Sequence, residues 1–152
     1  MNDRPPSRRR AGGTLEVLSL IPRARVRKDF LTACARHSTR HIRSKIGQLN
    51  FVIVDDRYMS RLHRTYTGIR GTTDVLTFDL SDSREYVDGD IVICLDQARR
   101  QAKLYRVPLY EEVARLAVHG VLHLAGYKDS TPAERDKMHQ LEDRSLMAGR
   151  RA

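Results

Sequence analysis

The stretch that decides the fold is residues 119–129, which read HGVLHLAGYKD. Its two histidines, His119 and His123, stand four residues apart among apolar residues, a spacing that puts both imidazoles on one face of a helix. Gly126 follows, and glycine readily takes the positive φ that ends a helix. Asp129 comes three residues after this turn. The pattern predicts a helix that ends in a tight turn, with two imidazoles and one carboxylate at that end.

These three side chains are the donor set of a metal site with one open position, which is typical of a catalytic metal rather than a structural one. Their spacing matches the extended zincin pattern HExxHxxGxxH, with aspartate in the third place. A histidine pair alone would more simply be structural, but the glycine turn and the third donor favour metal binding. The glutamate that acts as general base in metalloproteases is replaced by Gly120, which argues against a peptide hydrolase.

The rest of the chain alternates between strand and helix patterns. Short runs rich in β-branched residues predict four strands, at residues 14–21, 50–54, 72–80 and 89–95. Apolar residues at helical spacing predict five helices, at residues 23–43, 55–66, 96–105 with Asp96 as N-cap, 109–124 and 132–147. The last helix opens on a capping box, Thr131 to Glu134. The order predicts an α+β single domain, a mixed four-stranded sheet packed with about five helices, one of them a zincin-like metal helix.

The charge of the chain is concentrated at one end. Of 28 basic and 19 acidic residues, 12 basic and three acidic ones lie in residues 1–50, and residues 51–152 are neutral. Pro-Pro, Gly-Gly and an arginine triplet predict a disordered basic tail at residues 1–13, ahead of a folded domain at residues 14–148. No apolar run predicts a membrane span or a signal peptide, and Cys34 and Cys94 form no CxxC motif. We therefore expect a cytoplasmic protein with two free thiols.

Three separated motifs resemble the YbeY family. Residues 119–129 are similar to the family's HGxLHLxGYDH and depart from it at the last two positions. Residues 73–78, TDVLTF, are similar to its T(D/N)VLSF strand, and residues 89–94, GDIVIC, to its GDIxIC strand. The motifs occur in the family's order, with the resemblance covering residues 15–147.

The resemblance implies a metal-dependent, single-strand-specific endoribonuclease that acts in 16S rRNA 3′-end maturation and ribosome quality control. It implies one Zn²⁺ per chain, with His119 and His123 as zinc ligands, and ribosomal RNA and the small ribosomal subunit as partners. Asp129 stands where the family has its third histidine, and a carboxylate also suits manganese or magnesium. Thr67 stands where the family has an arginine proposed to contact the substrate.

Two acidic residues are candidates for catalysis, and each has a structural alternative. Glu112 lies two helical turns before His119, where it could serve the metal site or simply complement the helix dipole. Asp74 lies inside a strand pattern, where it could act beside the metal or accept a hydrogen bond at the strand end.

Basic residues cluster in the segment that contains the first predicted helix. They form either a solvated face or a surface that holds RNA phosphates, and the local charge excess favours RNA. The residues are Arg23, Arg25, Arg27, Lys28, Arg36 and Arg40.

Two functions from different classes remain: a metal-dependent endoribonuclease, and a non-catalytic rRNA-binding ribosome-assembly factor with a structural metal. Thr67 and Asp129 keep the second one open.

Overall fold

Four strands form one mixed sheet in the computed structural model, which describes residues 13–152. The strands are β1 (Thr14–Ser19), β2 (Lys45–Val54), β3 (Val75–Asp79) and β4 (Tyr86–Cys94). They lie in the order β1-β2-β4-β3, with β1, β2 and β4 parallel and β3 antiparallel to β4. The predicted mixed four-stranded sheet is confirmed, and β3 is one of its edges.

Five α-helices accompany the sheet, as predicted, four of them packed directly on it. They are α1 (Lys28–Ser38), α2 (Asp56–Thr67), α3 (Leu95–Tyr105), α4 (Leu109–Leu124) and α5 (Pro132–Arg151), with a 3₁₀ turn at Thr39–His41. The main core joins α1, α3 and α4 to one face of the sheet, around Phe51 and Ile91. On the other face, Met59 of α2 packs beside Val92 and Cys94. Helix α5 packs on α1 and α4 in a second layer.

Helix α4 is the element that positions the histidines. Most of its residues are buried, because it lies between the sheet and α5. Gly120 faces the sheet so closely that a Cβ there would lie 2.5 Å from Cγ2 of Ile91. A glutamate therefore has no room at this position, which fits the absence of the zincin general base.

Several predicted boundaries were wrong. Helix α1 begins at Lys28 and not at residue 23, because Pro22 and Arg23 form a turn in which Arg23 has a φ of 61° and the Ala24 N–H donates to the Ile21 carbonyl. Strand β2 begins five residues earlier than predicted, where Lys45 and Ile46 pair with Tyr86 and Val87.

Two corrections concern helix ends. Asp96 is not the N-cap of α3: that position is Cys94, and Asp96 accepts a hydrogen bond from the Asp56 N–H at 2.8 Å. Helix α5 continues past residue 147 to Arg151. The predicted tail, residues 1–13, lies outside the described residues except for Gly13. Within residues 13–152, no helix combines the length and the apolar character that a membrane span requires.

Candidate metal centre

The three predicted metal ligands meet at the end of α4. The Nε2 atoms of His119 and His123 are 2.9 Å apart. The Oδ2 atom of Asp129 lies 3.5 Å from the first and 3.3 Å from the second. The structure thus brings together one imidazole nitrogen from each histidine and one carboxylate oxygen.

The opposite nitrogen of each ring is held by an acceptor. His119 Nδ1 lies 3.1 Å from Oε2 of Glu142, and His123 Nδ1 lies 3.1 Å from the carbonyl oxygen of Tyr127. A carbonyl oxygen can only accept, so Nδ1 of His123 carries the proton, and the carboxylate favours the same tautomer in His119. Both Nε2 lone pairs then point at one spot, which is the arrangement that metal-binding histidines use.

The turn after α4 supplies two parts of the site. Gly126, with a φ of 99°, donates to the His123 carbonyl, and Tyr127 donates to the Leu122 carbonyl, which together form a Schellman motif. The motif turns the Tyr127 carbonyl back toward His123. Beyond it, Arg135 of α5 donates to the carbonyls of Asp129 and Ser130, each at 3.3 Å, and so holds the segment that carries the third ligand.

The donor set fits a divalent ion such as zinc. With bonds of about 2.0–2.1 Å, the ligands of a tetrahedral ion lie about 3.3–3.4 Å apart. The distances from Asp129 to the two imidazoles match this separation, and the imidazole pair is closer by about 0.4 Å. Two neutral Nε2 acceptors facing each other at 2.9 Å repel unless a cation or a proton lies between them. A metal ion satisfies both lone pairs at once.

Glu142 is a site residue that the sequence prediction missed. Its side chain is 5% exposed, and it lies between His119 and Arg115, whose guanidinium is 3.4 Å away and also bonds Asp143 at 2.8 Å. Burial lowers the pKa of His119, but the hydrogen bond to Glu142 and the charges of Glu142 and Asp129 outweigh it, so the pKa is raised. One signal was available: a glutamate among Met138, Leu141 and Leu146, the buried stripe of α5.

A cavity of about 380 Å³ lies beside the ligands, and both predicted catalytic residues line it. Glu112 is 3% exposed, and burial is the main cause of its raised pKa. Asp74 accepts from the Val75 N–H at 2.8 Å and from Gln101 at 3.2 Å. Its contacts match the strand-end alternative, while its position on the cavity keeps the catalytic role a prediction.

The six basic residues predicted to bind RNA lie on the surface, in the segment before α1, on α1 itself and, for Arg40, in the 3₁₀ turn that follows it. Arg27 differs from the others, because its guanidinium carbon lies 4.0 Å from the ring centroid of Tyr110 and contributes to packing. Tyr110 is in the first turn of α4, about 13 Å along the helix from His119. Arg27 and the metal ligands therefore lie toward opposite ends of α4.

Two other features bear on the site. Thr67 is exposed at the end of α2, and the exposed Arg64 and Arg70 are its basic neighbours in the sequence.

A second group of residues of metal-binding types consists of Asp56, Cys94 and Asp96. Its carboxylates already form hydrogen bonds with other groups of the protein. Arg100 donates to both oxygens of Asp56, at 2.9 and 2.7 Å, and lowers the pKa of that carboxyl to about 2.

Comparison with known proteins gives consistent matches. The family model described as endoribonuclease YbeY matches residues 19–149. Proteins named endoribonuclease YbeY from Cytophaga hutchinsonii and Pelotomaculum thermopropionicum are 37% and 42% identical, over 66% of this chain and 71% and 70% of theirs. The solution structure of a Thermotoga maritima protein has a TM-score of 0.64 and 21% identity, covering 89% of this chain and 88% of that one. That structure has the same fold.

Proposed function

Because this chain belongs to the YbeY family of endoribonucleases, we propose that it is a metal-dependent endoribonuclease that cleaves single-stranded RNA. The observation that supports the metal dependence is the convergence of His119, His123 and Asp129, with both Nδ1 atoms held by acceptors. The family relationship supports the nuclease activity. We further propose that its substrate is ribosomal RNA of the small subunit, with roles in 16S 3′-end maturation and ribosome quality control in the cytoplasm.

The proposed roles of the residues follow from the geometry. His119, His123 and Asp129 would hold one divalent ion, Zn²⁺ in our proposal, with Mn²⁺ or Mg²⁺ as alternatives because of the carboxylate. When bound, such an ion polarises a phosphoryl oxygen and makes a water molecule a better nucleophile. Glu142 and the Tyr127 carbonyl orient the imidazoles, while Glu112 and Asp74 face the adjoining cavity.

The basic segment supports an RNA substrate. Arg23, Arg25, Lys28, Arg36 and Arg40 are exposed and lie in the part of the chain that carries the whole charge excess. Contacts between such residues and phosphates supply affinity and orientation but little sequence specificity. In this proposal the segment holds the RNA, and cleavage occurs at the metal site.

The experiment compares three proteins for metal content and for cleavage of a single-stranded and a double-stranded RNA. They are the wild type, Asp129→Ala, and Asp136→Ala as the control, since Asp136 is also an exposed aspartate but lies outside the site. We expect the wild type and the control to take up about one Zn²⁺ or Mn²⁺ and to cut only the single strand. Asp129→Ala should lose metal affinity and cleavage together.

The cellular role needs a second measurement. Replacing the chromosomal copy with the Asp129→Ala variant should lead to accumulation of 16S rRNA with an unprocessed 3′ end. Binding to small subunits without any metal-dependent cleavage would instead support the non-catalytic assembly factor, in which the metal is structural. Wild-type protein that takes up no divalent metal would contradict both.

A further inference from the structure

We propose that the cavity beside His119 binds one nucleobase of the RNA, and that Glu112 accepts a hydrogen bond from the amino group of that base. This inference rests on the proposed function, because it concerns how the same site selects its substrate. It predicts that adenine, cytosine or guanine is preferred over uracil at one position next to the cleaved bond, since uracil has no exocyclic amino group.

The position of the cavity is the first argument. One wall comes from α3, with Gln101 and Tyr105, and from Asp74, the residue before β3; the other comes from α5, with Met138 and His139. The floor is the face of α4 that carries Glu112, Leu116 and His119. A group that enters this space therefore lies next to the ligands of the proposed metal ion. In an RNA whose phosphate is at the metal, that group is a neighbouring base or ribose.

The charged side chains that line the cavity determine which kind of chemical group can bind there. The two arginines that line the cavity are already engaged: Arg115 pairs with Asp143 and Glu142, and Arg135 donates to the carbonyls of Asp129 and Ser130. The remaining lining is rich in carboxylates, which repel phosphate and accept hydrogen bonds. The cavity consequently suits a neutral group with N–H or O–H donors.

Among the carboxylates that line the cavity, Glu112 is the one that can still accept hydrogen bonds from a ligand. The other four carboxylates that line the cavity, those of Asp74, Asp129, Glu142 and Asp143, contact nitrogen atoms of neighbouring groups. Glu112 is 97% buried, and within residues 13–152 its side chain has no hydrogen-bond or ion-pair partner. Because Glu112 lines the cavity, its carboxylate is available to accept a hydrogen bond from a group that enters there. Because burial raises its pKa, a donor at this carboxyl would stabilise its ionised form.

The apolar part of the cavity suits the flat faces of a base. Tyr105 is 60% exposed at the end of α3 and lines the cavity. Val107, Leu116 and Met138 supply further apolar surface. An exposed aromatic ring near hydrogen-bonding groups is the arrangement by which proteins bind unstacked bases of single-stranded RNA. A ribose alone would not use this surface.

The test uses short single-stranded RNAs that carry cytidine or uridine at each position near the cleaved bond. At one position, wild-type protein should prefer cytidine about tenfold in kcat/KM, the size of effect that one hydrogen bond to a charged group supplies. Glu112→Gln should reduce this preference to about twofold or less. Glu111→Gln is the matched control, because Glu111 is the preceding residue of α4 and bonds Arg150 rather than lining the cavity.

A second measurement separates this inference from the proposed function. Fluorescence anisotropy of metal-free protein with the same RNAs should show the preference for cytidine as binding, without any cleavage. Tyr105→Ala, an exposed change that leaves the core intact, should weaken binding of every base at that position, and Tyr105→Phe should restore it.

The outcomes are distinct. Equal use of cytidine and uridine at every position by the wild type overturns the inference, even if the protein cleaves RNA. A uniform loss of kcat in Glu112→Gln with the base preference unchanged also overturns it, because it assigns Glu112 to proton transfer. Selective binding by a wild type that never cleaves supports the base site while contradicting the proposed function.

Discussion

At the scale of single residues, Glu142 determines how His119 presents its Nε2 atom. Replacing it with glutamine keeps the shape of the side chain but removes the charge that faces both His119 and Arg115. We expect Glu142→Gln to lower metal affinity about 10–100-fold, as the loss of partners behind metal-binding histidines does elsewhere. Competition with a chromophoric chelator measures this. Glu134→Gln, which changes the capping box of α5 instead, should leave the affinity unchanged, and an equal loss in both variants would contradict the assignment.

Gly126 is a second residue whose substitution should change the affinity for the metal. A Cβ at this position meets nothing within 4 Å, so the cost of Gly126→Ala comes only from the positive φ of 99° and should be about 1–2 kcal/mol. Gly68 is a close match, since it ends α2 with a φ of 74° in open space. Urea unfolding should show similar losses for Gly126→Ala and Gly68→Ala. Metal affinity should fall only in Gly126→Ala, because that turn aims the Tyr127 carbonyl at His123.

Some residues of the metal site could be predicted from the sequence, and others could not. His119, His123 and Asp129 lie within 11 residues joined by a helix and one turn, so helix and turn geometry was enough to predict that their side chains meet. Glu142 follows His119 by 23 residues and reaches it only because α5 packs across α4, which no local pattern encodes. The unpaired state of Glu112 is likewise a property of the assembled cavity.

At the scale of elements, the contact between α4 and β4 depends on Gly120. Alanine favours a helix over glycine by about 1 kcal/mol, but its Cβ would lie 2.5 Å from Ile91, and such overpacking costs about 1–3 kcal/mol. Because the second effect is larger, Gly120→Ala should lower the free energy of unfolding by about 1 kcal/mol. Thermal unfolding checks the direction. Combined with Ile91→Ala, the losses should be less than additive, and strict additivity would contradict the proposed clash.

Elements were predicted best where the pattern was local. The order and type of all four strands and five helices followed from apolar spacing and capping residues, and the capping box at Thr131 is present. The start of β2 was missed because residues 45–49 are held by pairing with β4, about 40 residues away, across a bulge. The start of α1 was misplaced because a turn at Pro22 and Arg23 interrupts an apolar spacing that also fits a helix.

At the scale of the whole molecule, the uneven charge predicts how RNA binding responds to salt. Arg23→Gln combined with Arg25→Gln removes two exposed cations, so the slope of log K against log salt should fall by about 1.4 if both contact phosphates. Arg27 is left intact, because it packs on Tyr110. Filter binding at several salt concentrations measures the slope, and metal content should not change. Arg144→Gln with Arg151→Gln gives the same net charge; an equal loss of slope there would contradict a localised RNA surface.

The packing of α5 affects when, during synthesis, the metal site becomes complete. Chains are synthesised from the N-terminus, so the three proposed ligands leave the ribosome before Glu142 and the second half of α5. Until that helix docks, His119 lacks its acceptor and Asp129 lacks the support of Arg135. A nascent chain would therefore hold its metal weakly until α5 has been synthesised and has docked on α4. Such timing confines full metal affinity to chains in which α5 is already folded against α4.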